Sequence, residues 1–390
     1  MDFDVAVIGA GPSGLCFSRM LANLGLSVVI IEQSPVSAIE HPAFDGREIA
    51  LTHESVNIMR KLGLWAHIPP DAISRLRNAH VFNGPSLYAM KIDHSLSGEA
   101  ELGYLIANCH IRKAAYETTK DANNITLLAE ARVSTIAHDS RHIVLRMADS
   151  QRIHCKLLVA ADSRFSETRR MMGISTTMHD FGRTMMVCVM KHENPHLNTA
   201  WEWFDYGQTL ALLPMNGSRS SVVITLPAQE IANLMAMTEE MFNEAVTERF
   251  KHRFGAMRLD STRHAYPLVS TYPRQFVAER FALIGDAAVG MHPVTAHGFN
   301  FGLKSASTLS QQIAVAADQK KDIASPELLS RYERSHRAAT RPLFIATHFI
   351  SKLYGDDTPP ARLIRHVALR VGNRFLPFKR SVAKALTTSH

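Results

Sequence analysis

The chain begins with a glycine turn set between an apolar strand and a helix, and this combination restricts its fold more than any other stretch. An apolar run from Val5 to Ile8 predicts a buried parallel strand, and glycines follow it with G-x-G-x-x-G spacing. In this context Gly9 makes the tight turn, Gly11 leaves room for a pyrophosphate, and Gly14 allows helix and strand to pack closely. The stretch therefore predicts a dinucleotide-binding unit.

The segments that follow support this prediction. A second apolar strand from Ser27 to Ile31 ends at Glu32, which is placed to bond the ribose hydroxyls of the same nucleotide. The N-terminus of the first helix offers free N–H groups and the positive end of its dipole to the phosphates. Arg47 enters a later helix and is a candidate bidentate ligand of the pyrophosphate, although a single arginine more often lies on an ordinary surface.

Length and composition indicate two or three domains with an ample core, since the chain has 390 residues of which 46% are hydrophobic. The N-terminus lacks the basic segment of a signal peptide, and no apolar run reaches the roughly 20 residues that span a bilayer.

The four cysteines form no C-x-x-C pair, so we expect reduced, mostly buried thiols in a cytosolic protein. His292 and His297 lack a third ligand at a recognisable spacing, so we predict no metal site.

The positive charge is concentrated at the C-terminus. The chain has 43 Lys and Arg against 36 Asp and Glu, and residues 358–390 contain seven of the basic residues and no acidic one. The remaining 357 residues therefore balance at 36 basic and 36 acidic, so we expect no nucleic-acid binding by the body of the protein. Two interpretations of the tail remain open: a solvated or packed helical face, or a surface that docks on anionic lipid or on a partner protein.

Two further strand ends carry acidic residues. The apolar strand at 156–161 ends at Asp162, and the short strand at 280–284 is followed by Gly285 and Asp286. Carboxylates at the C-terminal ends of parallel strands lie where open α/β sheets bind ligands. Between these motifs, residues 178–225 form a second β-rich block, and an amphipathic helix from Glu239 to Phe254 completes a separate layer. There is no second G-x-G-x-x-G.

Together, the three motifs resemble those of the single-component FAD-dependent aromatic hydroxylases, the family similar to para-hydroxybenzoate hydroxylase. The motif at 162–169 resembles the family's DG motif, and Gly285-Asp286 with the turn before the next helix resembles its GD motif. The segments around Arg47, Tyr104 and Asn108 are most similar to the ubiquinone-biosynthesis branch. The resemblance extends over almost the whole chain.

The resemblance implies an α/β fold with a Rossmann-like, three-layer FAD-binding domain, an inserted mixed β-sheet substrate domain and C-terminal helices. The expected boundaries are 1–73, 101–175 and 272–340 for the FAD-binding domain, 74–100 and 176–271 for the substrate domain, and 341–390 for the basic helical region. The ADP half of FAD would be held by Gly9, Gly11, Pro12, Gly14 and Glu32, and its phosphates by Arg47 and Arg112. The ribityl chain would be held by Gly285 and Asp286, and the ring by Gly298, Phe299 and Asn300. Asp162 would be linked to both FAD and the reduced nicotinamide.

The implied reaction is hydroxylation of an electron-rich phenol by a C4a-hydroperoxyflavin, with NAD(P)H as electron donor and O₂ as co-substrate. We expect Pro293 and His297 nearest the reactive edge of the flavin. His297 is a candidate hydrogen-bond donor or proton relay, and a purely structural role in the turn is an equal alternative.

The expected substrate is a polyprenylated phenol of ubiquinone biosynthesis, handled in the cytoplasm or peripherally at the inner face of the membrane, with a biosynthetic complex as a further partner. Two alternatives remain: a hydroxylase of a soluble phenol, or a flavin-binding structural member of such a complex. The second alternative arises because Ser163 replaces the glycine of the DG motif.

The Trp201-Glu202-Trp203 stretch is similar to the W-x-W of flavin-dependent halogenases, but their following Ile-Pro is missing. We therefore expect Trp201 and Trp203 to line a core or a substrate face.

Overall fold

The computed structural model describes residues 1–86, 88–138, 141–292, 297–355 and 358–387. Over these residues the chain forms three β-sheets and a set of surrounding helices. The strands are β1 Asp2–Ile8, β2 Val28–Ile31, β3 Glu48–Leu51, β4 Ser74–Leu76, β5 Asn78–Asn83, β6 Ala89–Asp93, β7 Gly103–Ala107, β8 Ile125–Leu128, β9 Val133–His138, β10 Ile143–Met147, β11 Arg152–Ala160, β12 Thr176–His192, β13 Thr199–Asp205, β14 Gln208–Met215, β15 Arg219–Leu226, β16 Met257–Leu259, β17 His264–Pro273, β18 Val277–Ala278 and β19 Phe281–Leu283. The helices are α1 Pro12–Ala22, α2 Val36–Glu40, α3 His53–Lys61, α4 Asn108–Glu117, α5 Glu167–Met171, α6 Ala228–Ala236, α7 Glu239–Arg249, α8 Gly298–Asp318, α9 Pro326–Gly355, α10 Pro359–Arg374 and α11 Leu376–Thr387.

The first sheet has the strand order β18-β19-β11-β1-β2-β8, and β10 and β9 extend it from β11. β1 runs parallel to both of its neighbours, so that Val5 lies beside Val28 on β2 and Leu157 on β11. All three side chains are fully buried, which explains why these strands are continuous apolar runs. The C-terminal ends of β1, β2, β11 and β19 therefore meet at one edge of the sheet, and the predicted Rossmann-like α/β architecture is confirmed.

The second sheet is mixed and has the order β16-β12-β15-β14-β13-β5-β6, with β17 paired to β12. β13 runs parallel to β5, whereas its pairing with β14 is antiparallel. One face of this sheet carries its own core, in which Trp203 and Leu212 pack with Phe242 and Phe250 of the covering helical segment. The other face is open to a cavity.

The helical layer on this sheet differs from the prediction of one helix at 239–254. Two helices are present, α6 and α7, and α7 ends at Arg249. Met237 is extended between them, and the Thr238 hydroxyl accepts a hydrogen bond from the Met241 N–H as the N-cap of α7. The predicted start at Glu239 is confirmed, whereas α6 was not predicted. α7 ends before the predicted Phe254 because Lys251 and His252 have positive φ, which is incompatible with a right-handed helix.

A small antiparallel sheet has the order β3-β7-β4. The C-terminal helices α10 and α11 pack against β6. Ala383 of α11 is buried with Ile92 and Leu105. Among the described helices, none combines the length and the apolar character needed to cross a bilayer.

The cysteines match the expectation of unpaired, mostly buried thiols. Cys16, Cys155 and Cys188 are buried and Cys109 is half-buried, and all four are free. Burial raises the pKa of Cys16, Cys155 and Cys188 to about 12, so these three thiols stay protonated at neutral pH.

Trp203 should be a major contributor to the stability of the second core. Its side chain is 1% exposed, and its indole N–H donates to the Gly84 carbonyl oxygen at 2.8 Å. We expect Trp203→Ala to lower the free energy of unfolding by about 3–5 kcal/mol, because it leaves a cavity and an unpaired carbonyl. Chemical denaturation, monitored by far-UV circular dichroism, measures this free energy of unfolding. The control Met178→Ala, at a side chain that is 60% exposed, should change it by less than about 0.5 kcal/mol; equal effects of the two substitutions would contradict the assignment.

Candidate active site

A cavity of about 930 Å³ lies where the edge of the first sheet faces the open side of the second sheet. It collects residues from all three sequence motifs and from strands that are far from them in sequence. The predicted site residues that line it are Gly9, Gly11, Pro12, Glu32, Arg47, Arg112, Asp162, Asp286, Gly298 and Phe299. Gly14, Gly285, His297 and Asn300 are not in its lining, and Pro293 lies outside the described residues.

The glycine turn after β1 is closed on one side and open on the other. Gly9 has φ of +106°, and a Cβ there would lie 2.7 Å from the Ala161 carbonyl oxygen. A Cβ on Gly14 would lie 2.1 Å from the Gly9 carbonyl oxygen, so both positions require glycine for backbone packing. A Cβ on Gly11, by contrast, would meet no described atom within 4 Å. Gly11 precedes α1, so the first-turn N–H groups of this helix face open space.

Glu32 follows β2 and holds the glycine turn in place. One carboxylate oxygen accepts a hydrogen bond from the Ala10 N–H at 2.8 Å, and the other accepts from the Ser34 N–H at 2.9 Å. The carboxylate also lines the cavity beside Gly9 and Gly11. This position agrees with the predicted place of a ribose-binding acid at the end of the second strand.

Two arginines bring positive charge to the same region. The Arg47 guanidinium forms an ion pair with Asp45 at 2.6 Å, and Asp45 also accepts a hydrogen bond from the Asn108 side-chain amide at 2.8 Å. Burial opposes ionisation of Asp45, but the hydrogen bonds from Arg47 and Asn108 and the positive charge of Arg47 together outweigh it and lower the pKa of this carboxyl. Arg112 on α4 donates to the Ala38 carbonyl oxygen at 3.4 Å. Asp45 was not predicted from the sequence, since its role depends on a contact with α4.

The loop after β11 fixes one oxygen of Asp162 by hydrogen bonds and gives the other no partner among the described atoms. Oδ2 accepts hydrogen bonds from the hydroxyls of Ser166 at 2.9 Å and Thr168 at 3.1 Å. Oδ1 is buried and has no hydrogen-bond partner among the described atoms. Ser163, which stands where the family has glycine, does not adopt a positive φ, so its side chain causes no backbone strain in this turn.

Two arginines of this loop join it to the turn after β19. Arg164 forms an ion pair with Asp286 at 3.0 Å. The Arg169 side chain is 3% exposed and donates to the carbonyl oxygens of Arg164 and Ala287, at 3.1 and 3.3 Å. The second and third motifs are therefore linked directly by side chains whose roles the sequence did not assign. In the third motif, Gly285 has φ of +62°, and a Cβ there would lie 3.1 Å from the side chain of Ser13.

The start of α8 contributes to the site in two ways. Gly298 and Phe299 line the cavity directly. Asn300 is 1% exposed and connects α8 to β3, because its amide donates to the Ala50 carbonyl oxygen at 2.8 Å and accepts from the Thr52 N–H at 3.1 Å. His297 is 5% exposed, and its ring lies 5.7 Å from that of Phe301.

Aromatic side chains form a further wall of the cavity. Phe204 of β13 stacks on Tyr354 of α9 with ring centroids 3.7 Å apart. Phe181 lies edge-on to His292 at 4.6 Å, and burial lowers the pKa of His292 to about 4, so its ring is neutral at physiological pH. The second sheet therefore contributes aromatic and aliphatic side chains to the cavity, in addition to polar ones.

Two carboxyl groups in this cavity were not predicted from the sequence. Glu48 of β3 and Glu202 of β13 both line it, and burial raises the pKa of each to about 8. The Glu202 position has a signal in the sequence: alternation along β13 places Trp203 in the core of the second sheet and the residue before it on the opposite face. Which face would be open to a cavity was not predictable from one strand.

The residues at the glycine turn fit a dinucleotide. The open space at Gly11, the N-terminus of α1 and two guanidinium groups match the charge of a diphosphate, and Glu32 supplies acceptors for ribose hydroxyls. The unpaired Oδ1 of Asp162 is a further hydrogen-bond acceptor toward such a group. Among the described residues, no group of three or more His, Cys, Asp or Glu side chains is arranged to hold a metal ion.

Solved structures of similar shape include p-nitrophenol 4-monooxygenase PnpA from Pseudomonas putida, with a TM-score of 0.80 and 17% identity over 100% of this chain and 99% of that one. PqsL from Pseudomonas aeruginosa in complex with 2-aminobenzoylacetate has a TM-score of 0.76 and 20% identity, over 98% of this chain and 100% of that one. At these identities the likeness establishes a shared fold.

Comparison with sequence relatives establishes the family as well as the fold. This chain is 44% identical to the ubiquinone hydroxylase UbiM of Neisseria meningitidis, over 98% of this chain and 84% of the relative. It is 31% identical to the ubiquinone hydroxylase UbiL of Rhodospirillum rubrum, over 97% and 87%, and 24% identical to the 3-demethoxyubiquinol 3-hydroxylase of Escherichia coli, over 98% and 97%. The family model described as the FAD binding domain matches residues 2–344. The chain belongs to this FAD-binding family, within the branch of FAD-dependent monooxygenases that includes the ubiquinone hydroxylases.

Proposed function

We propose that this monooxygenase hydroxylates the aromatic ring of a polyprenylated phenol in ubiquinone biosynthesis, with NAD(P)H as the electron donor. The names of the relatives at 44% and 31% identity support the substrate class. The observation that carries the proposal is the cavity of about 930 Å³, which joins the glycine turn to a sheet face that carries Phe204, Leu213 and Val223. Bound FAD, once reduced, supplies the activation of O₂ and the transfer of one oxygen atom to the ring.

The protein's contribution is to bind, orient and exclude water. Arg47, Arg112 and the N-terminus of α1 would hold the diphosphate, and the sheet face would receive the phenol ring. The stacked Phe204 and Tyr354 close the wall beside that face and keep it apolar. Water exclusion matters because it prevents side reactions of reactive oxygen species in the site.

The other assignments at the site follow from the same proposal. Asp162 would contact FAD and the reduced nicotinamide, and Asp286, held by Arg164, would contact the ribityl chain. His297 is the N-cap residue of α8 and directly precedes Gly298 and Phe299, which line the cavity. This position supports the proposal that His297 lies near the flavin ring. We also propose that the two large sheets belong to separate FAD-binding and substrate domains with the boundaries expected from the sequence.

The C-terminal helices present an apolar surface to solvent, and we propose that an anionic lipid membrane covers it. On α10 the side chains of Leu363, Val367 and Val371 recur every four residues and are 64%, 50% and 59% exposed. Arg370 and Arg374 are exposed beside this stripe, and residues 358–387 contain no acidic side chain. An apolar stripe bordered by cations alone is complementary to a lipid surface with anionic head groups.

The position of this surface suits a prenylated substrate. The last turns of α9, which lead into α10, line the cavity with His348, Ser351 and Tyr354. The Arg365 guanidinium of α10 donates to the Tyr354 carbonyl oxygen at 3.1 Å, so the cavity wall and the apolar stripe belong to one connected helical unit. A substrate in the membrane would therefore lie close to the cavity.

The glycine turn gives a paired test of FAD binding. Gly11→Ala should fold normally, because its Cβ would point into open space, but should weaken FAD binding by about tenfold or more by occupying the pyrophosphate's place. Gly14→Ala should instead lower thermal stability, because its Cβ would meet the Gly9 carbonyl oxygen at 2.1 Å. Titration of apoprotein with FAD and thermal melts measure the two effects. Wild-type FAD affinity in Gly11→Ala would show that the diphosphate does not lie at this turn.

The reaction itself is tested with the purified flavoprotein and in cells. Aromatic substrates should stimulate oxidation of NADH or NADPH, and prenylated phenols should give more hydroxylated product per NAD(P)H than soluble ones. Lipid extracts of cells that lack the protein should accumulate a prenylated phenol with a ring hydroxyl missing, as measured by mass spectrometry. Stimulation only by soluble phenols would favour the first alternative. A protein that holds FAD but cannot be reduced or turned over would favour a structural role.

Membrane docking is tested by removing the apolar stripe. The triple variant Leu363→Asn, Val367→Asn, Val371→Asn should bind phosphatidylglycerol vesicles about tenfold or more weakly than wild type in a flotation assay. A matched control with Met178→Asn, Leu197→Asn and Val315→Asn, three side chains at least 52% exposed elsewhere, should bind as wild type does. Unchanged vesicle binding by the stripe variant, or absent binding by wild type, would rule out lipid as the occupant.

A further inference from the structure

Glu202 is placed on the face of the second sheet that forms the cavity floor. Through the strand pairings it stands in one row with Ala211 on β14, Val223 on β15 and Val187 on β12. All four residues line the cavity. A carboxyl group thus stands at the end of a row of small apolar side chains, on the surface that we propose receives the phenol ring.

Nothing in the described part of the protein explains this carboxyl structurally. Glu202 makes no hydrogen bond or ion pair there. Desolvation is the cause that raises its pKa to about 8, so it is uncharged at neutral pH and has both an O–H donor and an oxygen acceptor to offer. Glu202 is half-buried and lines the cavity, so its carboxyl is available to a group that is bound there.

The second cavity carboxyl has different surroundings. Glu48 lies on β3, the strand tied to α8 by Asn300, and its electrostatic neighbours are Asp45 and Arg219. It is therefore associated with the Arg47–Asp45 side of the cavity. Glu202, whose row neighbours are apolar, is the carboxyl that a ring on the sheet face would meet.

We propose that Glu202 is a specificity-determining residue that forms a hydrogen bond with a ring hydroxyl of the substrate. This inference rests on the proposed function and names the group that recognises the phenol. The hydroxyl would anchor the ring on the sheet face, and a hydrogen bond accepted from it would increase the electron density of the ring toward oxygen transfer. A site built to pair a hydroxyl discriminates strongly against an analogue that lacks it, because its own polar group is then left unpaired.

The test compares the binding of a phenol and its methyl ether, without reductant. The FAD-loaded protein is titrated with 4-alkylphenols and the corresponding 4-alkylanisoles, and the change in the visible flavin spectrum reports binding. Wild type should bind the phenol about tenfold or more tightly than the ether. Glu202→Leu and Glu202→Met should bind both ligands about equally, and Glu202→Gln, which keeps a polar side chain, should recover part of the preference.

Controls separate this inference from a folding effect and from the proposed function. The apolar variants remove a half-buried carboxyl that makes no hydrogen bond to the described protein, so their melting temperature and FAD content should equal or exceed those of wild type. Glu48→Leu should keep the preference for phenol. A wild-type preference that persists in both apolar Glu202 variants, or that is lost in Glu48→Leu, would overturn the inference alone. If no phenol binds to the wild type, prenylated ones included, the proposed function fails as well.

Discussion

The contact between the glycine turn and the end of β11 determines how the rest of the site is built. Gly9 approaches the backbone of Ala161 so closely that any side chain would collide with it, and Gly14 packs on Gly9 in the same way. The Asp162 loop therefore begins directly beside the first turn of α1. Arg164 and Arg169 then tie this loop to the turn after β19. Three segments that are far apart in sequence converge at one edge of the sheet because the backbones touch.

The cavity at this edge is divided by its electrostatic character. At the glycine turn, helix N–H groups and two guanidinium groups favour an anion, and ordered carboxylates hold the loops in place. On the sheet face, apolar side chains such as Phe204, Ala211 and Val223 lie among polar ones, and desolvation raises the pKa of the half-buried Glu202 carboxyl to about 8. This division supports the proposal that the cofactor binds at the glycine turn and the substrate ring on the sheet face.

The fold was predictable because its signals are local. Continuous apolar strands, a glycine turn and capped helices recur in the order that an α/β sheet needs. Prediction failed at α6, which was missed, and at the end of α7, where Lys251 and His252 adopt positive φ and stop the helix before Phe254. At the site, the motifs indicated Gly9, Glu32, Asp162 and Asp286, since each lies at the end of a strand.

The sequence by itself determined the dinucleotide-binding unit, the family and the strand ends that carry acidic residues, because each depends on spacing within a short segment. Only the tertiary structure decided which side chains pair across segments, such as Arg47 with Asp45 beside α4 and Arg164 with Asp286. It also decided that β13 places Trp203 in the core of the second sheet and Glu202 on the face that lines the cavity. The physical reason is that period-two alternation along a strand defines two faces, whereas the packing of helices on one of them determines which face remains open.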